Sequence, residues 1–77
     1  MNLAIEIRML QERIIANASD DEAYFLLGNI HWKHGRQGEA MSCFLKAVAI
    51  NPDSPAKVAL EHAREVSDFF NPDIYNP

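Results

Sequence analysis

Only one cysteine, Cys43, occurs in the 77 residues, so no disulfide can close within the chain. That usage fits a reducing compartment, and the cytoplasm is the expected location. Cations are scarce too. Seven Lys and Arg stand against 11 Asp and Glu, giving a formal net charge of −4. They are scattered as Arg8, Arg13, Lys33, Arg36, Lys46, Lys57 and Arg64. Neutralising phosphates takes clustered cations, so no nucleic-acid partner is expected. No apolar run approaches the ~20 residues of a membrane span, so no membrane role is expected. Glu6 and Arg8 interrupt the opening MNLAIEIRML, which therefore does not read as a signal peptide. With only three glycines there is no phosphate-cradling loop, and no nucleophile motif appears.

What is present is apolar material, 48% of the chain, arranged at helical rather than strand spacing. Leu3, Ile7, Leu10 and Ile14 form one stripe of a helix from about Asn2 to Asn17, which Ile5, Met9 and Ile15 widen. Ser19 and Glu22 read as a capping box opening a second helix, with Asp20 and Asp21 at the positive end of its dipole. Gly35 should end that helix by taking the left-handed conformation. A third helix is expected from about Gln37 to Ile50, stopped by Asn51-Pro52. Ser54-Pro55 opens a fourth, with Ala56, Leu60, Ala63, Val66 and Phe70 as its apolar stripe, and Asn71-Pro72 closes it. The tail from Asp73 to Pro77 is expected to be loose, with Ile74 and Tyr75 folding back onto the core as the alternative. The fold class is all-α, with about four helices in one small domain. A core of this size supplies only ~3–5 kcal/mol.

Residues Asp21 to Ser54 span 34 positions and carry an ordered pattern. Tyr24-x2-Leu27-Gly28-x2-His31 is followed by Ala40-x3-Phe44, then Ala47 and Pro52. This resembles the tetratricopeptide repeat, whose pattern is W-x2-L-G-x2-Y, A-x3-F and a proline. The resemblance implies an antiparallel helix-turn-helix in a small bacterial-type protein with one full repeat and flanking helices. Gly28 and Ala40 are small where two helices must approach, while Tyr24, Leu27, Phe44 and Ala47 fill the space beside them. One period back, Leu10 aligns with Phe44, but Glu6 and Arg13 fall where Ala40 and Ala47 stand. One period forward, Val58 aligns with Tyr24, while Glu61 and His62 replace Leu27 and Gly28. The implied division is a degenerate N-terminal helix (1–18), the full repeat (21–54), a capping helix (55–70) and a tail (71–77).

The resemblance also implies a non-enzymatic role, the binding of a peptide or helix of a protein partner on the groove side of the second helix. Carried over by position, that surface falls on Glu22, Phe25, Asn29, Trp32, Lys33 and Arg36. At ~100° per residue it is centred well away from the Tyr24-Leu27-Gly28-His31 stripe. Phe25 and Trp32 are the expected anchors, since aromatics offer contact area with few rotors; the alternative is internal packing. Asn29 and Lys33 stand where some family members hold a terminal carboxylate, but one repeat supplies too few donors for such a clamp.

The third helix holds only Ser42 and Lys46 as polar residues between Ala40 and Ile50, which calls for burial nearly all round. A homodimer using these apolar surfaces is therefore the alternative function, and a subunit stable only within a larger complex is a third. His31, His34, Cys43 and His62 invite a metal, but a zinc site needs three or four convergent ligands. His31 fills the family's tyrosine position and reads as a half-buried packing residue. Cys43 lies in an apolar helix and reads as inert. Glu61 and Glu65 share a helix face without a pocket. No cofactor is expected.

Overall fold

The structure, a computed structural model, describes residues 3–70, with side chains described as far as Glu65. The roles expected for Val66, Phe70, Ile74 and Tyr75 lie outside the side chains described. Four α-helices follow one another: α1 (Leu3–Ala16), α2 (Asp21–Lys33), α3 (Gln37–Ile50) and α4 (Ala56–Phe70). Among the described residues there is no strand. α2 packs most extensively on α3, with α4 laid against α3 and α1 against α2. α1 and α3 are each 14 residues long, and Gln37 begins α3 one 34-residue period after Leu3 begins α1.

Local chemistry sets each boundary. Asp20, rather than Ser19, caps α2: its Oδ1 accepts the Ala23 N–H at 3.0 Å. The capping box expected from Ser19 and Glu22 does not form. Arg13 of α1 reaches Asp20 at 3.0 Å and Glu22 at 3.0 Å, drawing both carboxylates toward α1. At the other end Gly35 has φ 76. The Arg36 N–H donates to the His31 carbonyl at 2.9 Å and the Gly35 N–H to that of Trp32 at 3.2 Å. These two bonds are a Schellman ending, which satisfies carbonyls that the helix itself leaves open. Asn51 is extended, with φ −137, as the residue before a proline must be. Its Nδ2 donates to Asp21 Oδ2 at 3.2 Å, tying the end of α3 to the start of α2. Ser54 is buried, and its Oγ accepts the Ala56 N–H at 3.1 Å, capping α4 as expected.

Small residues decide how α2 and α3 meet. Gly28 is buried directly over the Phe44 ring, and a Cβ added there would lie 2.5 Å from Phe44 Cε1. Ala40 and Ala47 are fully buried on α3 on either side of Phe44. With Ala56 and Leu60 of α4 they form one cluster, which Tyr24, Phe25 and Trp32 flank. Leu10, Ala23 and Leu27 form a second cluster between α1 and α2, flanked by Ile7, Ile14, Ile30 and Cys43. Burying a ring such as Phe44 contributes ~1.5–3 kcal/mol.

One apolar expectation is corrected. Ile5, Met9 and Ile15 do not widen the buried stripe of α1; they are 50%, 54% and 84% exposed. On α3 the single chain leaves Leu45 47% exposed and Ile50 36%, so burial nearly all round would need a second surface. The cause is geometric: α2 and α4 cover only the face of α3 that carries Ala40, Phe44 and Ala47.

Candidate functional site

α2 runs between α1 on one flank and α4 on the other, so it borders two clefts. On the α4 flank, Phe25 and Trp32 lie seven residues apart on one face of α2, with Asn29 between them, and all three are half-buried. The Phe25 ring tilts against Phe44 with centroids 6.2 Å apart. Two depressions open along this flank. One of about 190 Å³ lies by Glu22, Phe25, Ser54 and Pro55, and one of about 110 Å³ by Asn29, Trp32, Ala59 and His62. Phe25 and Trp32 therefore do two things at once: their inner sides pack on the α3–α4 cluster and their outer sides line the groove.

On the α1 flank lies a larger cleft of about 380 Å³. Met9 and Leu10 of α1 line it opposite Leu26 and Ile30 of α2. Glu6, Arg13, Asn29 and Lys33 supply its polar edge.

The six residues expected to face a partner thus divide. Phe25, Asn29 and Trp32 lie together on the α4 flank, and Glu22 stands at its upper end while pairing with Arg13. Lys33 borders the α1 cleft, and Arg36 is exposed in the turn after α2. Asn29 reaches both clefts, so it does not share the α4 groove with Lys33 as a carboxylate clamp requires. Leu26, Ala59 and His62 on this surface, and Met9 and Ile30 across from it, were not foreseen. For Leu26 the signal was the period itself: moving Leu26 and Asn29 forward by one repeat gives Leu60 and Ala63, both buried on α4.

Charges are arranged to hold α1 to α2. The Ala23 N–H, followed by the Arg13 guanidinium, keeps the Asp20 carboxyl below its ordinary value, and the carboxylates raise that of Arg13 in return. Lys46 Nζ sits 5.7 Å from the centre of the Tyr24 ring, a cation–π contact across α2 and α3. His31 is buried, and its Nδ1 lies 3.4 Å from Glu39 Oε2 in the first turn of α3 without a hydrogen-bond partner. Burial raises the Cys43 thiol above its ordinary pKa, which lowers its thiolate fraction and its reactivity. Among the described residues no group of three or more His, Cys, Asp or Glu could hold a metal ion. Among them, too, no helix is long and apolar enough to cross a membrane.

The family model of the tetratricopeptide repeat matches residues 21–54. A search of the curated proteins and one of the solved structures each find no match. Repeats of this family generally mediate protein–protein interaction and are typically non-enzymatic scaffolds. The matched segment contains α2, the Gly35 turn and α3, with Gly28 seated on Phe44 at the crossing of the two helices. Residues 21–54 are a tetratricopeptide repeat.

Proposed function

We propose that this chain is a protein–protein interaction module that receives a peptide or helix of a partner in the groove between α2 and α4. The observation that carries the proposal is the line of Phe25, Asn29 and Trp32, half-exposed along one side of the repeat's first helix, with depressions open beside each aromatic ring. Glu22 and Arg36 would add charged contacts at the two ends of α2, and Lys33 would act from its far flank. In this reading α1 is the second helix of an incomplete preceding repeat and α4 is a terminal cap. No catalysis is assigned to the module. The single cysteine supports placing it in the cytoplasm.

The test compares the wild type with Trp32→Ala and His62→Asp as baits in extracts of the source cells, with helical content and native mass measured on each. The proposal expects both variants to lose the same captured species while keeping their helicity and mass. Retention of every captured species by both folded variants would overturn it.

One observation favours a second reading, a homodimer. Leu45 and Ile50 leave apolar surface open on α3, outside both clefts. Light scattering that gives twice the chain mass for wild type and a single chain mass for Leu45→Glu would establish it. A single chain mass for the wild type at high concentration would remove it.

A further inference from the structure

The groove between α2 and α4 is not one trough but two depressions, about 190 Å³ beside Phe25 and about 110 Å³ beside Trp32. Asn29 stands half-buried between the two rings on α2, and its side-chain amide makes no hydrogen bond among the described residues. Seven residues of helix set the rings ~10.5 Å apart along the axis. A ligand that fills both depressions must therefore present two side chains on one face at that spacing. An extended strand does so at ~6.8 or ~13.6 Å, and neither matches. A polyproline II segment does so at three residues, ~9.3 Å, and an α-helix at seven residues, ~10.5 Å.

Asn29 decides between these two. An α-helix has its backbone groups paired within itself, and an apolar residue of its middle turn would be pressed onto the Asn29 amide at a desolvation cost. A polyproline II backbone has no internal hydrogen bonds, so a carbonyl between the two anchors can accept from that amide. Such segments also suit aromatic-lined grooves, because they are already ordered before they bind.

Charge marks one end of the groove. Asp21 and Glu22 line the Phe25 depression, and Asp53 is exposed in the turn just before Ser54 and Pro55, which line it too. Arg13 takes one oxygen of Glu22, Oε1, from the α1 side. Asp21 accepts from the neutral Asn51 amide, and no cation pairs with Asp53 among the described residues. No Lys or Arg lines either depression. The end beside Phe25 is thus complementary to a basic side chain.

We propose that the groove takes a proline-rich segment of another protein in the polyproline II conformation. Two apolar residues three apart sit beside Phe25 and Trp32, a carbonyl between them meets Asn29, and a Lys or Arg beyond the Phe25 anchor faces Asp21, Glu22 and Asp53. This rests on the groove being the partner site and names what that site takes.

The probes are the synthetic, end-blocked peptides KPPLPPLPP and its reverse, PPLPPLPPK, since such a segment can lie in either direction. Two comparison peptides carry the same anchors: KGGLGGLGG, and an alanine-based helix with leucines seven apart and one lysine. Each is titrated into the full chain and followed by the fluorescence of Trp32, the chain's one tryptophan, and by backbone amide NMR shifts. One direction of the proline peptide should bind saturably, with shifts centred on Phe25, Asn29 and Trp32, and the glycine peptide about tenfold more weakly. Asn29→Leu should weaken the proline peptide about tenfold, although it makes the groove more apolar. Asp53→Lys should weaken it about threefold at low salt and little at high salt. Tighter binding of the helical peptide, or an Asn29→Leu chain that binds the proline peptide as well as wild type, would overturn this inference and leave the groove as the partner site. No response to either proline peptide would overturn it too, while the capture experiment with Trp32→Ala and His62→Asp decides the groove itself. NMR contacts of Trp32 with Ile74 or Tyr75 in the free chain would make the tail the occupant instead. A mass of two chains that the peptide lowers to one would make it a second copy.

Discussion

Gly28→Ala separates two physical effects of opposite sign. In an exposed helix this substitution stabilises by ~1 kcal/mol, because alanine loses less backbone entropy than glycine. Here the new Cβ would stand 2.5, 2.7 and 3.1 Å from Cε1, Cδ1 and Cζ of Phe44. Carbon atoms pack at ~3.5–4.0 Å, so the ring would have to retreat by about 1 Å. It has little room to do so, being 2% exposed and backed by Phe25. Overpacking of this kind costs ~1–3 kcal/mol, so the net expectation is a destabilisation of ~0.5–2 kcal/mol. For a domain of this size ~1 kcal/mol lowers Tm by ~4–8 °C. Thermal unfolding followed by circular dichroism measures it. A double-mutant cycle with Phe44→Leu isolates the cause: once the ring is gone, Gly28→Ala should no longer destabilise, giving a coupling of ~0.5–3 kcal/mol. A Tm that rises in Gly28→Ala, as helix propensity alone predicts, would refute the close crossing.

The other two glycines should respond differently in the same assay. A Cβ at Gly38 meets nothing within 4 Å, so Gly38→Ala should stabilise by up to ~1 kcal/mol. Gly35 has φ +76, so Gly35→Ala should cost ~1–2 kcal/mol although it has equal space around it. Asp20 gives a pH signature. Its folded pKa lies below the unfolded one, so its stabilisation is present above the unfolded value of ~3.9 and is lost as pH falls through the lower folded value. Asp20→Asn keeps a capping oxygen but cannot titrate there, so Tm measured against pH should fall less steeply below about pH 4 than in wild type. Cys43 should react more slowly with an aromatic disulfide reagent in the folded chain than in denaturant at pH 8, because burial raises its pKa. Equal rates would contradict its half-buried placement.

Much of this architecture could be read before any coordinates, because its determinants are local. Gly35, Asn51-Pro52 and Ser54-Pro55 fix helix ends through backbone rules that hold in any context, and all three act as expected. The choice of Asp20 over Ser19 as cap was not legible. Both side chains can cap, and Arg13, seven residues earlier, is the partner that draws in Asp20. Leu45 could not be placed for a related reason: apolar composition reports what a helix tolerates, while its exposure depends on which neighbours are present. At the candidate site the repeat pattern located α2 as the central helix. It did not show that α2 borders two clefts, because that depends on where α1 and α4 lie. Phe25 and Trp32 defeated a choice between packing and exposure, since each side chain does both.

Photo-crosslinking in the source cells tests the groove most directly, with benzoylphenylalanine placed in turn at position 62, beside Trp32, and at position 45, exposed on α3 outside both clefts. The account predicts a discrete adduct with a different protein from position 62 and none from position 45. An adduct from position 45 alone, at twice the mass of the chain, would show that the surface in use is the one on α3 and that the groove beside Trp32 is not where this protein is held.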